Sequence, residues 1–314
     1  MTLSILIVSF NTKGMLEQCL QSIRRHSPSA SYEVFVVDNG STDGSPALVA
    51  ERFPEVRLMA NSDNRGFAAA NNQALSLAKG EVILFLNSDT CLLPDSLRPL
   101  LTRLEEQPGV GIVGPTERLE AGTAYPTICP SPDLWFLFLS HTGLRHYFYT
   151  NPRINPYRQI WELAHRSGEP VAVDWLSGGS LMVRRRVLEE VGPFDEGYFF
   201  YMEDTDLCER ARRAGWRIEY VPRGVIIHHG GGSSEKAKGG LLTLSGTVSE
   251  LRYFRKHGSG LDVLLLKALL FAEYTLKLLL VRSSDPRRWA YREILRTILG
   301  LRPATVTKED LCPH

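Results

Sequence analysis

Leu3-Ser4-Ile5-Leu6-Ile7-Val8-Ser9-Phe10 opens the chain as a short apolar run rich in branched side chains, and it predicts a buried first strand. No basic leader and no small-residue cleavage site accompany it, so the run reads as a strand and not as an export signal. Similar runs recur at Glu33 to Val37, Val56 to Met59 and Val82 to Leu86. Helical patterns fall between them. Leu16, Leu20 and Ile23 share one helix face, Ser45-Pro46 starts a second helix, and Phe67 to Ala78 forms a third, closed by Gly80. Strand and helix in alternation up to about residue 115 predict repeated βαβ units and a parallel sheet.

Working outward, 314 residues, 43% of them hydrophobic and 23% charged, suffice for one large α/β domain with an appendage. A formal net charge of +1 leaves no field to capture nucleic acid. Cys19, Cys91, Cys129, Cys208 and Cys312 are scattered and odd in number, which fits a reducing compartment better than zinc or a disulfide framework.

From 116 to 170, prolines and aromatics such as Trp135, Phe136, Phe138, Tyr147, Phe148, Tyr149 and Trp161 break the rhythm, and the segment reads as elaborated loops. Order resumes at Val171, with a strand over Ser180 to Val183, a short helix ended by Gly192-Pro193, a helix over Asp204 to Ala214 closed by Gly215, and a strand over Val225 to His228. Gly230 to Gly240 has the composition of a mobile, lid-like loop. Leu261 to Val281 predicts a helix whose charges, Asp262, Lys267, Glu273 and Lys277, fall within one arc of about 140°, leaving a wide apolar face. With Arg282, Arg287, Arg288, Arg292 and Trp289 after it, this helix suits either a membrane surface or a protein neighbour, including a second copy of the chain.

Ligands of a parallel sheet collect beyond the carboxyl ends of its strands. There the sequence offers Asp38-Asn39-Gly40-Ser41-Thr42-Asp43-Gly44-Ser45, a glycine-bearing turn whose carboxylate can accept an N–H; Asn64-Arg65-Gly66-Phe67 at a helix entry; and Asn87-Ser88-Asp89, where a carboxylate can bridge a divalent cation to a diphosphate. Each is equally a solvated turn or cap when taken alone. Glu203, Asp204 and Asp206 crowd the start of a helix beside Tyr198 to Tyr201, where mutual repulsion and desolvation raise a carboxylate toward the range of a general base. His228-His229 precedes a glycine run, and only one of two adjacent strand residues can enter a site. Arg184-Arg185-Arg186 reads as a solvated helix start or as the grip for an anionic acceptor such as a lipid diphosphate.

Over residues 1 to 255 these motifs, in this order, resemble the family-two glycosyltransferases of GT-A fold, in particular their bacterial rhamnosyltransferase-like branch. The motifs are Val8-Ser9-Phe10-Asn11, Val37 to Asp43, Asn64 to Phe67, Phe85-Leu86-Asn87-Ser88-Asp89 and Glu203 to Arg210. The resemblance implies a Rossmann-like, mostly parallel α/β sheet flanked by helices over 1–255, with a nucleotide-sugar half over 1–115 and an acceptor half over 116–255, followed by a helical extension over 256–314. It implies that Asp38 holds the nucleobase and that Ser9, Asn11, Asn64, Arg65, Asn87 and Ser88 line the donor nucleotide. Asp89 and His228 would hold Mg2+ or Mn2+, Asp204 with Glu203 would supply the catalytic base, and Trp175, Gly178, Gly179 and Asp206 would face the acceptor. One departure is Asn87, which stands where the family's metal motif usually carries a first aspartate and removes one negative charge there.

The activity implied is inverting transfer of a sugar, L-rhamnose from its dTDP donor by this branch, or another sugar from UDP or GDP, to a glycan or polyprenyl-diphosphate-linked acceptor. The implied place is cytoplasmic, at the inner face of the plasma membrane, without nucleic acid as partner. A sugar-1-phosphate nucleotidyltransferase would need a glycine-rich basic loop where Ser9 to Gly14 stands, and a nicotinamide dehydrogenase a Gly-x-Gly-x-x-Gly after strand one. Neither is present. A non-catalytic glycan-binding subunit of the same fold is the reading from outside enzymology.

Overall fold

The computed structural model describes residues 2–26, 30–125, 127–144, 156–230, 239–303, 305–306 and 310. Strands β1 (Leu3–Ser9), β2 (Tyr32–Asp38), β3 (Arg57–Ala60) and β4 (Val82–Asn87) alternate with helices α1 (Lys13–Arg25), α2 (Ser45–Arg52) and α3 (Phe67–Leu75), as the apolar runs predict. β1 pairs in parallel with β2 and β4, and β2 with β3. Three elements then follow that the sequence did not disclose: β5 (Thr90–Leu92), α4 (Arg98–Glu106) and β6 (Val110–Arg118).

The segment 116–170, read as loops, is more ordered than that. It holds the end of β6, the short strands β7 (Ala124–Tyr125) and β8 (Ile128–Cys129), and two helices, α5 (Leu134–His141) and α6 (Pro156–Ser167). Asp133 caps α5 by accepting the Phe136 amide at 2.6 Å, a signal hidden among aromatics and prolines. β9 (Val171–Ala172), β10 (Trp175–Leu176), β11 (Ser180–Arg184), α7 (Arg185–Val191), α8 (Glu203–Arg213) and β12 (Arg217–His228) complete the region. β12 is longer than the expected Val225–His228, because Ile218, Tyr220 and Val221 extend the buried run past Pro222.

The large sheet runs β3-β2-β1-β4-β11-β6-β12-β5. β11 enters antiparallel between β4 and β6, whereas β6 and β12 are parallel. Alternate side chains feed opposite faces. Ile5, Ile7, Val34 and Val36 pack toward α1, α2 and α4, while Leu6, Phe35, Val37 and Phe85 pack toward α3, α6, α7 and α8. Covering both faces brings the carboxyl ends of β1, β2 and β4 to one edge. Arg184 and Arg185 serve this architecture and correct the anionic-acceptor reading. Arg184 donates to the carbonyls of Leu104, Gln107 and Val110, Arg185 to those of Ala78 and Gly80, and Arg186 lies over the Trp216 ring.

The chain divides into two compact units: Met1–Ser131 with Tyr157–Asp195 and Asp204–Ser233, and Pro132–Pro156 with Glu196–Glu203 and Ser234–His314. The boundary read at residue 255 falls inside α9 (Gly239–His257), because Leu244, Val248 and Leu251 share an apolar core with α10 (Gly260–Leu280) and α11 (Arg288–Ile298). A reciprocal pair of hydrogen bonds between Ser259 and Asp262 fixes the start of α10. No helix among the described residues is long and apolar enough to cross a membrane.

Within the second unit His141 bridges two carboxylates, with Nε2 2.9 Å from Glu250 and Nδ1 2.7 Å from Glu273, which also pairs with Lys277. Burial alone would lower its pKa, but the two glutamates prevail and hold it at about 9. A folded pKa above the ordinary 6.5 means that the stabilisation is complete below 6.5 and is lost as pH rises through about 9. Thermal melts across that window are expected to show a steeper loss for the wild type than for His141→Gln. Parallel curves would remove His141 from the account.

Candidate active site

The donor-side residues meet at the ends of β1, β2 and β4. Ser9, Thr12 and Ser88 form a buried chain of hydroxyls, 3.0 and 2.9 Å apart, that ties the end of β1 to the residue after β4. Asn11 adopts a left-handed backbone at φ +54°, and in that pose its Oδ1 accepts the Thr42 amide while its own amide donates to Ser41 Oγ, both at 2.8 Å. The two loops are thereby locked together. Asp38, 1% exposed, accepts the Ser41 amide at 2.8 Å through Oδ1, whereas its buried Oδ2 has no hydrogen-bond partner among the described residues. An unsatisfied buried carboxylate oxygen is costly, and an incoming N–H donor would relieve it. Asn64 stands in the turn before α3, its Oδ1 accepting from Asn39 Nδ2 and the Gly66 amide at 2.9 Å each, and the neighbouring Arg65 is half exposed, 3.7 Å from Asp63.

The residues expected to act in transfer converge on Gly178-Gly179, just before β11. The Gly178 amide donates to Asp204 Oδ2 at 2.7 Å, and the Gly179 carbonyl accepts the Asn87 amide at 3.0 Å. A Cβ on Gly179 would lie 2.7 Å from Glu117 Oε1 and 2.8 Å from the His228 ring; one on Gly178 would lie 3.1 Å from Asp204 Oδ2. These glycines therefore permit the close approach of Asp204 on one side and of the His228 cluster on the other. Burial pushes Asp204 above the usual carboxylate range, against the lowering effect of hydrogen bonds from Gly178 and Thr205.

His228 at the end of β12 sits between two acids, with Nε2 3.2 Å from Asp89 Oδ1 and Nδ1 2.6 Å from Glu117 Oε2. Burial disfavours its charge, yet the two carboxylates hold its pKa at about 10. Among the described residues no three His, Cys, Asp or Glu side chains are arranged to hold a metal by themselves. A divalent cation would have to displace the Nε2 proton; Asp89 and His228 would then offer it one oxygen and one nitrogen, with Glu117 holding the ring from behind, as carboxylates commonly do for metal-binding histidines. Such a pair would fill only part of the shell of a divalent cation. Glu117 escaped the sequence reading, since its partner is 111 residues away and nothing local distinguishes it.

Asp206, Trp175 and Glu203 make contacts of their own. Asp206 is fully buried and paired with Arg210 at 2.7 Å, and Arg210 donates in turn to the carbonyls of Val191, Gly192 and Pro193, which anchors α8 to the end of α7. Trp175, in the small β8–β10 ribbon, donates its indole N–H to the Pro130 carbonyl at 2.8 Å. Glu203 is buried at the first position of α8. Just before it, Tyr201 and Met202 both take left-handed backbone, at φ +72° and +69°, with the Phe200 carbonyl held by the Ser245 and Ser249 hydroxyls. The glycine run after His229 lies outside the described residues beyond Gly230.

Residues 4–162 match the family model described as Glycosyl transferase family 2, and residues 136–299 that described as Glycosyl transferase family group 2. The N-acetylglucosaminyl-diphospho-decaprenol L-rhamnosyltransferase of Mycobacterium tuberculosis is 35% identical over 239 residues, which cover 72% of this chain and 76% of that protein. The rhamnosyltransferase WbbL of Escherichia coli K12 is 47% identical over 57 residues, 18% of this chain and 22% of that one. Among solved structures, a mannosyltransferase of Pyrobaculum calidifontis in complex with GDP-Man and Mn2+ aligns over 96% of this chain and 76% of its own, with TM-score 0.58 at 20% identity. TarS 1–349 of S. aureus aligns over 96% and 92%, with TM-score 0.51 at 16% identity. At such identities the structural likeness is one of fold.

Proposed function

Because the chain belongs to glycosyl transferase family 2 and carries its GT-A fold, we propose that it is an inverting, cation-dependent rhamnosyltransferase, taking L-rhamnose from dTDP-rhamnose to a polyprenyl-diphosphate-linked glycan at the cytoplasmic face of the membrane. The enzyme is a nucleotide-sugar glycosyltransferase of polysaccharide synthesis. Donor, acceptor, metal dependence and stereochemistry are the proposal. The observation that carries it is the Gly178-Gly179 turn, which touches Asp204 on one side and the Asp89–His228–Glu117 cluster on the other.

In this reading Asp38 Oδ2 accepts an N–H from the base, and the locked Asn11 and Ser41 loops shape its surroundings. Asp89 and His228 would hold the cation, which when bound would supply Lewis-acid stabilisation for a departing diphosphate. Asp204 takes the proton from the acceptor hydroxyl as that oxygen forms its bond to the anomeric carbon and the carbon–oxygen bond to the diphosphate breaks on the opposite face. The raised Asp204 pKa suits proton uptake, and the Gly178 amide keeps the carboxylate aimed. One displacement without a covalent intermediate inverts the configuration.

Calorimetric titration of dTDP, UDP and GDP, each with manganese and again with EDTA, tests the donor site. dTDP is expected to bind with manganese and to weaken at least ~10-fold without it, given the charge that a cation offsets on a diphosphate. Preference for UDP or GDP would reassign the sugar, and no binding under any condition would leave a non-catalytic glycan-binding subunit.

A further inference from the structure

The helix α10 is turned the opposite way from an ordinary surface helix. Its buried positions, Leu266, Leu270 and Tyr274, share an arc with Glu273 and with Lys277 at its exposed margin, so this arc packs on the core of its own unit. Glu273 is consumed there by His141, and the Lys277 ammonium lies over the Tyr274 ring. At 100° per residue the opposite arc, roughly 140° wide, holds Leu261, Leu264, Leu265, Ala268, Phe271, Ala272, Thr275, Leu276 and Leu279, with no charge among them. This arc is the exposed one. Leu261 is 63% exposed, Leu264 62%, Leu276 56%, Leu279 77% and the adjoining Leu280 75%. From Leu261 to Leu279 the stripe is about 27 Å long. Scattered exposed leucines need no explanation, but a continuous uncharged stripe of this length marks a contact surface.

The charge around it selects the occupant. Residues 239–303 carry eleven Lys and Arg against five Asp and Glu, although the whole chain is nearly neutral at +1. Arg282 follows the most exposed leucines directly, and Lys267 borders the stripe. A second copy would set two such cationic units against each other, whereas an anionic lipid surface complements both the greasy arc and its basic surroundings. We infer that α10 lies in the interface of an anionic bilayer, with its Leu261–Leu279 stripe entering the acyl boundary and Arg282 meeting head groups. This placement deepens the proposed membrane-face location, on which it rests, and is independent of the chemistry proposed for Asp204 and Asp89.

Flotation of the full chain with phosphatidylcholine vesicles, with and without phosphatidylglycerol, tests the inference. The wild type is expected to float with the anionic vesicles, and a Leu264→Glu, Leu279→Glu double variant to partition at least ~10-fold more weakly while keeping its melting temperature and its nucleotide binding. Arg282→Glu should weaken binding several-fold on phosphatidylglycerol vesicles alone. Equal flotation of wild type and double variant, or no flotation of the wild type, would overturn the inference. So would a wild-type dimer that the double variant dissolves with no change in vesicle binding. Nucleotide titration reads the catalytic proposal separately, so either can fail without the other.

Discussion

Asp204→Asn is expected to lower the turnover of sugar transfer by roughly 10²–10⁴-fold, the range that a positioned general base contributes, while leaving nucleotide binding unchanged. The substitution keeps the shape of the side chain. An asparagine can present its carbonyl oxygen to the Gly178 amide, which now donates to Oδ2 at 2.7 Å, but its NH2 then stands where Oδ1 accepts the Thr205 amide at 2.6 Å, so the melting temperature is to be read beside turnover. The wild type carries a further signature. Since burial raises this carboxyl, and only its ionised form can act as base, turnover should fall with acidification at a pH above the usual carboxylate range. The variant's residual activity should lack that limb. If nucleotide binding falls in parallel with turnover, Asp204 acts on the donor and the assignment is wrong.

Asp89→Ala is expected to cost on the order of 10²-fold or more in transfer, the scale on which single groups that stabilise developing charge act. It should also abolish the difference between manganese and EDTA in nucleotide titrations. The two effects are linked, because the variant keeps His228 on Glu117 at 2.6 Å but removes the carboxylate on the other ring nitrogen, leaving a single side chain for the cation. Nucleotide binding that still responds to manganese in Asp89→Ala would move the cation elsewhere.

Much of this was legible in the sequence. The inner N-terminal strands announced themselves because they are buried on both faces, and runs such as Val82 to Leu86 therefore carry no polar interruption, whereas the edge strand Arg57–Ala60 is only partly buried. β6 was missed for a specific reason: Gly111 and Gly114 dilute its apolar signal. Gly111 is there because a Cβ would meet Val187 at 2.7 Å and Trp216 at 3.0 Å, and Gly114 because one would press on Leu176 at 3.1 Å. Tertiary packing thus erased the local mark of a strand. Asp38, Asp89, Asp204 and His228 could be picked out as polar residues at element ends. Glu117 could not, since it lies within a strand and gains its meaning only from a histidine brought beside it by the pairing of β6 with β12. Asp206, an acid in a cluster of acids, has a partner the cluster itself did not suggest, Arg210 one helical turn later.

The antiparallel insertion of β11 bears on how the chain acquires its activity. As the N-terminus emerges first during synthesis, β1 to β4 can associate early, yet the open edge of β4 has no native partner until Ser180–Arg184 has been made. The Asn87 amide then finds the Gly179 carbonyl, and the Gly178 amide beside it is left to be met by Asp204, which follows in sequence. Closing that ladder joins segments nearly a hundred residues apart, a slow and entropically expensive step. The loops that carry Asn11, Asp38 and Ser41 can thus form on β1 and β2 early. Asn87 and the Asp89–His228 pair are completed only afterwards, by β11 and then by β12, so the last-made strand of the sheet closes the site.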